Sequence, residues 1–190
     1  MIVAVKGTVV YKEPSFVHID VNGIVYEVFI SLQTYSALPQ GDVKLFTSHI
    51  IREDAQLLYG FLEMGEKKLF ERLIKINGVG PKVAMAICST YTPSQFGVLI
   101  SNSDVKAVQK VPGIGPKSAG RILVELNGFD MDILAADSSS STASIAYAQA
   151  SEALEALGFK KDKIAKVLSS CEAQDTPTLV KQALKQLQTL

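Results

Sequence analysis

A nine-residue phrase occurs twice in the chain, and this repeat constrains the fold more than any other feature. Residues 76–84 read INGVGPKVA, and residues 111–119, thirty-five positions later, read VPGIGPKSA. Both copies keep an apolar residue, glycine, apolar, glycine, proline, lysine and alanine in register. A repeat of this length indicates one supersecondary unit that has been duplicated.

Each copy is predicted to join two helices. Apolar residues recur at helical spacing before the first copy, as at Leu69 and Leu73, and before the second, as at Val105 and Val108. A proline follows each glycine pair and suits the first helical position, where a missing N–H costs no hydrogen bond. The repeated unit is therefore predicted to be helix, Gly-x-Gly hairpin, helix. No strand precedes either glycine pair, which excludes a Rossmann or P-loop site.

The two hairpins are predicted to bind phosphate groups. Glycine lets a ligand approach the main chain closely, and the start of the next helix offers free N–H groups and the positive end of the helix dipole. Lysines just inside each helix, and an arginine one turn later, add affinity for a nucleic-acid backbone without reading bases. Helix corners that need glycine only for the turn are the alternative, which a single copy would favour. The predicted DNA-binding residues are Gly78, Gly80, Lys82, Gly113, Gly115, Lys117 and Arg121.

Charge is unevenly distributed along a chain whose net charge is zero. Residues 1–62 contain four basic and six acidic residues, whereas residues 63–133 contain nine and seven. Five of these basic residues crowd the first repeat. We therefore expect affinity for a polyanion to come from the repeat-bearing segment alone.

Residues 1–62 are predicted to form a five-stranded closed barrel of the OB type. Runs of β-branched and aromatic residues alternate with turn residues, and five short strands suit a small barrel. Asn22-Gly23 is a strong hairpin signal, because a type I′ turn needs positive φ at both positions. The predicted strands are Ile2–Tyr11, Phe16–Val21, Ile24–Ile30, Val43–Arg52 and Ala55–Phe61.

The remaining chain is predicted to be helical. Residues 63–133 hold the tandem units and form an all-α domain. A serine-rich run predicts a flexible linker over residues 134–146. Three apolar stripes at helical spacing over residues 147–190 predict a three-helix domain, whose Leu157-Gly158-Phe159 corner resembles ubiquitin-associated (UBA) domains. The chain is thus an α+β multidomain protein by prediction.

Nothing in the sequence indicates catalysis, a metal or a cofactor. The two cysteines, Cys88 and Cys171, have no metal-ligand spacing, and the two histidines, His18 and His49, have no partner motif nearby. No nucleotide-binding loop is present, so any ATP must be hydrolysed by a partner chain. Without a signal peptide or a long apolar run, the cytoplasm is the expected compartment and no membrane is expected.

The order of these segments and three motifs together resemble the RuvA family of Holliday-junction-binding proteins, over nearly the whole chain. The tandem hairpins are similar to helix-hairpin-helix motifs. The three motifs are NGVGPK at residues 77–82, VPGIGPK at 111–117 and REDAQLLYGF at 52–61.

The resemblance implies a four-fold symmetric homotetramer that holds a four-way DNA junction open and nearly square in recombination and repair of damaged DNA. It implies that residues 147–190 recruit the hexameric RuvB ATPase for branch migration, and it leaves room for the RuvC resolvase as a partner. Glu53 and Asp54, which by themselves read as a solvated turn, become an acidic pin at the crossover, where carboxylates repel phosphates.

Two other functions compete with this interpretation. A structure-specific nuclease or glycosylase could carry the same repeats, but no clustered carboxylates or nucleophile motif accompany them. A barrel that binds single strands would need an aromatic platform and a basic groove, whereas residues 1–62 are net acidic.

Overall fold

The computed structural model describes residues 1–127, 142–159, 161–169, 171 and 175–187. The chain divides into two compact units, residues 1–135 and 136–190, and each is described by itself. A closed five-stranded barrel comes first and helices follow it. The predicted α+β multidomain class and the order of its parts are confirmed.

Five strands close the barrel in the order β1-β2-β3-β5-β4. Neighbouring strands are antiparallel, except that β3 and β5 run parallel. Each strand starts and ends within two residues of its predicted bounds. The strands are β1 (Ala4–Glu13), β2 (Phe16–Val21), β3 (Ile24–Ile30), β4 (Asp42–Ile51) and β5 (Gln56–Phe61).

Two backbone features shape the barrel. The predicted turn between β2 and β3 is confirmed, since Asn22 and Gly23 both have positive φ, at 52° and 90°. In β1, a Cβ on Gly7 would lie 2.1 Å from the Asp20 carbonyl oxygen, so only glycine allows β1 to cross β2 this closely. The register of these two strands then shifts between Val9 and Tyr11, as in a β-bulge.

Alternate strand residues fill the barrel. Val17 and Ile19 of β2 and Val28 and Ile30 of β3 are buried and pack in one cluster, as the two-residue period of a strand requires. A short helix, α1 (Leu32–Ala37), joins β3 to β4.

Five further helices follow β5 in the described part of the first unit, up to residue 127. The sequence favours helix N-caps at Thr92, which Pro93 follows, and at Ser103. The first is confirmed, because the side chains of Thr92 and Gln95 form a capping box. The second is wrong: Ser103 takes φ of 51°, and the Asp104 carboxylate accepts the Ala107 N–H at 3.0 Å instead. The helices are α2 (Met64–Leu73), α3 (Pro81–Thr90), α4 (Pro93–Ser101), α5 (Val105–Val108) and α6 (Pro116–Leu126).

Strand β5 contributes to two cores. Leu58 packs inside the barrel, whereas Tyr59 and Phe61 belong to the core of the helices. The ring of Phe70 in α2 packs against both aromatic rings. Its centroid lies 4.9 Å from that of Tyr59 and 5.2 Å from that of Phe61. The predicted boundary at residue 62 therefore does not separate two independent cores.

The second unit is a three-helix bundle, as predicted. Its helices are α7 (Thr142–Ala156), α8 (Lys161–Leu168) and α9 (Thr176–Leu187). Gly158, with φ of 93°, ends the first of them, and its N–H donates to the Glu155 carbonyl oxygen at 2.9 Å. Residues 134–141 of the predicted linker lie outside the described residues. Residues 142–146 begin α7 instead, and Ala146 is buried in the bundle core, so packing extends the helix into the predicted linker.

Candidate nucleic-acid interface

The first hairpin lies between α2 and α3 and is built around one glycine with a positive φ. Gly78 has φ of 88°, a value that L-residues avoid because their Cβ clashes with the main chain. The Val79 N–H donates to the Ile76 carbonyl oxygen at 3.0 Å. The side chains of Ile76 and Val79 are both buried, which anchors the hairpin to the core and leaves its glycines at the surface.

The second hairpin, between α5 and α6, repeats this geometry at an offset of thirty-five residues. Gly113 has φ of 86°, and the Ile114 N–H donates to the Val111 carbonyl oxygen at 3.2 Å. Val111 and Ile114 are buried. The repeat in the sequence is therefore a repeat in structure, bond for bond.

Neither the backbone angles nor lack of space requires the second residue of each pair to be glycine. Gly80 and Gly115 have ordinary extended backbones, with φ and ψ of −86° and 170°, and of −87° and 172°. A Cβ at either position would meet no atom within 4 Å. Both residues are exposed and cap the N-terminus of a helix without a side-chain hydrogen bond. This open space beside free N–H groups suits an anion that approaches the main chain closely.

Lysines flank each hairpin on both sides. Lys82 and Lys117 are exposed in the first turns of α3 and α6, where they can reach the same anion. Lys75 and Lys110 are also exposed and occupy equivalent positions just before the hairpins. Their N–H groups donate to equivalent carbonyl oxygens, those of Arg72 and Ala107. The sequence-based prediction did not include Lys75 and Lys110 as an equivalent pair, although they are thirty-five positions apart, the same offset that relates the two repeats.

Arg121 connects the two repeats. Its Nη1 donates to the Asn77 carbonyl oxygen of the first hairpin at 3.0 Å. A Cβ on Gly113 would lie 3.6 Å from Cγ2 of Val83, so the second hairpin packs beside the helix that follows the first. The sequence predicted only a phosphate contact for Arg121. The structure adds a positioning role, and the guanidinium keeps further N–H donors that a phosphate could use.

The acidic turn joins β4 to β5. The Arg52 N–H donates to the Ala55 carbonyl oxygen at 2.8 Å and closes the turn. Glu53 and Asp54 are both exposed at its tip. The adjacent Ile51 is 64% exposed, which is unusual for a β-branched residue at the end of a core strand. Both carboxylates are therefore available to a ligand, and the pin remains a prediction.

A buried carboxylate, Glu66, lies where the barrel meets the helices, and no sequence signal pointed to it. It is 5% exposed and accepts hydrogen bonds from the hydroxyls of Ser31 and Thr34. Burial raises the pKa of Glu66 above its usual value, while the two hydroxyls oppose the rise. From sequence alone, a glutamate in the first turn of a helix is expected to be exposed to solvent and to interact with the positive end of the helix dipole.

Three comparisons of family models identify the parts of the chain. The model described as RuvA N terminal domain matches residues 1–60, SAM-like Helix-hairpin-helix tandem matches residues 70–127, and RuvA, C-terminal domain matches residues 146–188. The Holliday junction branch migration complex subunit RuvA of Sulfurimonas denitrificans is 74% identical over 190 residues, which cover 100% of both chains.

The chain belongs to the RuvA family.

More distant relatives support the same assignment. The RuvA subunit of Wolinella succinogenes is 53% identical and covers 100% of both chains. That of Helicobacter hepaticus is 47% identical, over 98% of this chain and 100% of its own. The helix-hairpin-helix match spans both hairpins, so the resemblance that the motifs suggested is confirmed.

The barrel of this RuvA family member carries an aromatic cluster that the sequence reading missed. The rings of Tyr11, Phe16 and His18 lie with centroids 5.2–6.0 Å apart. Two carboxylates border them: Glu13 accepts from the Tyr11 hydroxyl, and Glu27 lies 3.2 Å from Nε2 of His18. His18 therefore has a cross-strand carboxylate partner, contrary to expectation. These carboxylates would repel the phosphates of a single strand stacked on the rings.

Chemical groups for catalysis are not assembled in the described part of the chain. No group of three or more His, Cys, Asp or Glu residues there could hold a metal ion. Cys88 is buried, which raises the pKa of its thiol well above the usual value, so it is an inert core residue.

Among the described residues, no single helix is long and apolar enough to cross a bilayer. Helices Pro81–Thr90 and Pro93–Ser101 have enough length and apolar character only when taken together, and they are bent by 97°.

Proposed function

We propose that this chain binds four-way DNA junctions as the DNA-binding subunit of a branch-migration complex in recombination and DNA repair. The observation that carries the proposal is the pair of matched hairpins in one compact unit. Each ends in an exposed glycine whose Cβ position is open and leads into a helix N-terminus. Two such sites in one compact unit can hold two phosphate positions of a duplex arm at once.

Contact through these hairpins is independent of sequence. Main-chain N–H groups and lysine ammonium groups recognise phosphate oxygens and do not distinguish bases. The residues we assign to this contact are Gly78, Gly80, Lys82, Gly113, Gly115, Lys117 and Arg121, together with Lys75 and Lys110. Because each lysine displaces condensed counterions, affinity should fall steeply with salt.

The acidic turn makes the protein prefer an open junction to other DNA shapes. In a homotetramer, four copies of Glu53 and Asp54 would surround the crossover, where their charges repel the phosphates of passing strands. Strands are then guided past the centre and do not adhere to it. The support for this role is the exposure of both carboxylates in a short closed turn.

The second unit is assigned to the motor. Helices α7–α9 form a small bundle with its own core, and Leu157 at its corner is 60% exposed. Residues 147–190 carry six basic and five acidic residues, so they offer little net charge to DNA and suit a protein partner better. We assign the hexameric RuvB ATPase to this unit, so that ATP hydrolysis belongs to a separate chain and no cofactor is bound here. RuvC resolvase would act on the junction that the tetramer holds open.

The test compares DNA shapes at constant sequence. Fluorescence anisotropy would measure binding to a labelled four-way junction and to a duplex made from the same arm sequence, and native mass spectrometry would count the subunits. We expect tighter binding to the junction and four subunits, or a multiple of four, on it. Equal affinity for both DNAs would contradict the proposal.

A further inference from the structure

Glu66 joins the barrel to the DNA-binding helices through directional bonds. It lies in the first turn of α2, thirty-five residues from Ser31, and is 5% exposed. Ser31 Oγ donates to one carboxylate oxygen, and Thr34 Oγ1 donates to the other at 2.9 Å. Ser31 is also the N-cap of α1, where its Oγ accepts the Thr34 N–H at 3.0 Å. The carboxylate therefore holds the start of α1.

A second bond fixes the same helix to α3. The Leu32 N–H donates to Ser89 Oγ at 3.1 Å. Helices α2 and α3 are the two that flank the first hairpin, so α1 is bonded to both arms of that unit. On its other side, α1 connects directly to β3 and β4, and β4 ends at the acidic turn.

We propose that Glu66 is a positioning residue that fixes the first hairpin at a set orientation to the barrel and its acidic turn. Apolar packing, such as that of Phe70 on Tyr59, holds surfaces together but tolerates small rotations. A carboxylate with a separate donor on each oxygen specifies one register, since any rotation leaves a buried polar group without its partner.

This role matters for recognition of DNA shape, and here the inference rests on the proposed function. A duplex gains its affinity from the hairpins alone, and the acidic turn only repels it. A four-way junction contacts the hairpins and the centre at once, so its affinity depends on the distance and angle between them. Loosening the joint should weaken binding to the junction and leave binding to the duplex unchanged.

The first experiment compares two buried threonines. Thr34→Val removes one donor from Glu66 and keeps the shape of the side chain. Thr47→Val is the matched control: Thr47 is equally buried, at 2% exposure, and its hydroxyl donates at 2.8 Å to the Ile2 carbonyl oxygen, within the barrel. We expect the ratio of junction to duplex affinity to fall about threefold in the first variant and to be unchanged in the second.

The second experiment changes the carboxylate itself. Glu66→Ala removes both acceptors, and the affinity ratio should fall on the order of tenfold. Glu66→Gln keeps the side-chain length and a group that can bond both hydroxyls, so it should restore most of the ratio. Rescue by glutamine would separate positioning from a need for negative charge.

Hydrogen exchange reports on the joint without DNA. In Glu66→Ala the Leu32 amide should exchange faster than in the wild type, whereas the Val17 amide inside the barrel should not change. Unchanged exchange at Leu32, or an equal fall of the affinity ratio in Thr34→Val and Thr47→Val, would overturn the inference. If the wild-type chain showed no preference for the junction, the proposed function would be contradicted instead. Hydrogen exchange at Leu32 would then be the only test of whether Glu66 holds α1 in place.

Discussion

At the scale of single residues, the four hairpin glycines separate into two kinds. Gly78 and Gly113 need glycine for a positive φ, whereas Gly80 and Gly115 have backbones that any residue adopts. From the sequence, all four glycines were predicted to bind phosphate in the same way. Gly78 and Gly113 therefore have a role in folding besides the proposed phosphate contact, whereas neither φ nor lack of space requires glycine at Gly80 and Gly115.

Alanine substitutions should distinguish these roles. Gly80→Ala and Gly115→Ala should change the melting temperature little, because the lower entropy of the unfolded chain is offset by the poorer N-capping of α3 and α6 by alanine. Junction affinity should nevertheless fall about tenfold for the loss of one charge-assisted bond. Gly78→Ala should instead lower the free energy of unfolding by about 1–2 kcal/mol. Calorimetry and anisotropy on the same samples check both, and a Gly80→Ala variant with normal affinity would refute close phosphate approach.

Lys75 and Lys110 should contribute to the salt dependence of binding. Replacing either by alanine should reduce the slope of log affinity against log salt by about one unit for each lost phosphate contact. Sequence preference should not change, because an ammonium group reads no base. Lys6→Ala, which removes an exposed charge from the barrel, is the control. Equal slopes for Lys75→Ala and Lys6→Ala would remove Lys75 from the interface.

The buried carboxylate predicts a pH dependence of stability. The pKa of Glu66 is raised above 4.5 in the folded state, first by burial and also by the charge of Glu63, and the neighbouring Cys88 thiol is neutral because its own pKa is raised. As pH rises through 4.5 the unfolded chain releases this proton first, so stability falls until the folded pKa is passed. Glu66→Gln should lack this decline. Thermal unfolding of both proteins from pH 4 to 8 tests it; parallel curves would contradict it.

At the scale of elements, local patterns predicted more than long-range contacts did. Strand alternation, the Asn22-Gly23 turn and the Gly-x-Gly repeat are encoded by neighbouring residues, and all three are confirmed. The bonds of Glu66 to Ser31 and of Arg121 to Asn77 join residues 35 and 44 positions apart. No periodicity encodes such pairs, because any hydroxyl or carbonyl in the chain could have been the partner.

The acidic turn can be neutralised without changing its shape. Glu53→Gln together with Asp54→Asn keeps side-chain size, and the backbone bond that closes the turn involves only Arg52 and Ala55. Unit charges 4 Å apart in water repel by about 1 kcal/mol, so we expect duplex affinity to rise about fivefold. Junction affinity should hold or increase, and the rate of branch migration should change. Wild-type values for duplex affinity and migration rate would favour a merely solvated turn.

At the scale of the whole molecule, the two units should be separable in function. Truncation after Asp137 removes α7–α9 but leaves both hairpins and their shared core intact. Junction binding should stay at the wild-type level, while stimulation of the RuvB ATPase and of branch migration should be lost. Parallel assays of the truncated and full-length chains test this. Loss of junction binding in the truncated chain would place DNA contacts in the second unit.

Strand β5 has a consequence for how this chain can be reused. Its Leu58 side chain belongs to the barrel, and its Tyr59 and Phe61 rings stack on Phe70 of the helices. A gene fusion or an engineered chain that is cut at residue 62 would divide this aromatic cluster and expose an apolar surface on each fragment. The two hairpins therefore cannot be transferred to another protein without the barrel. The barrel and the helices that share β5 would have to be inherited or transplanted together.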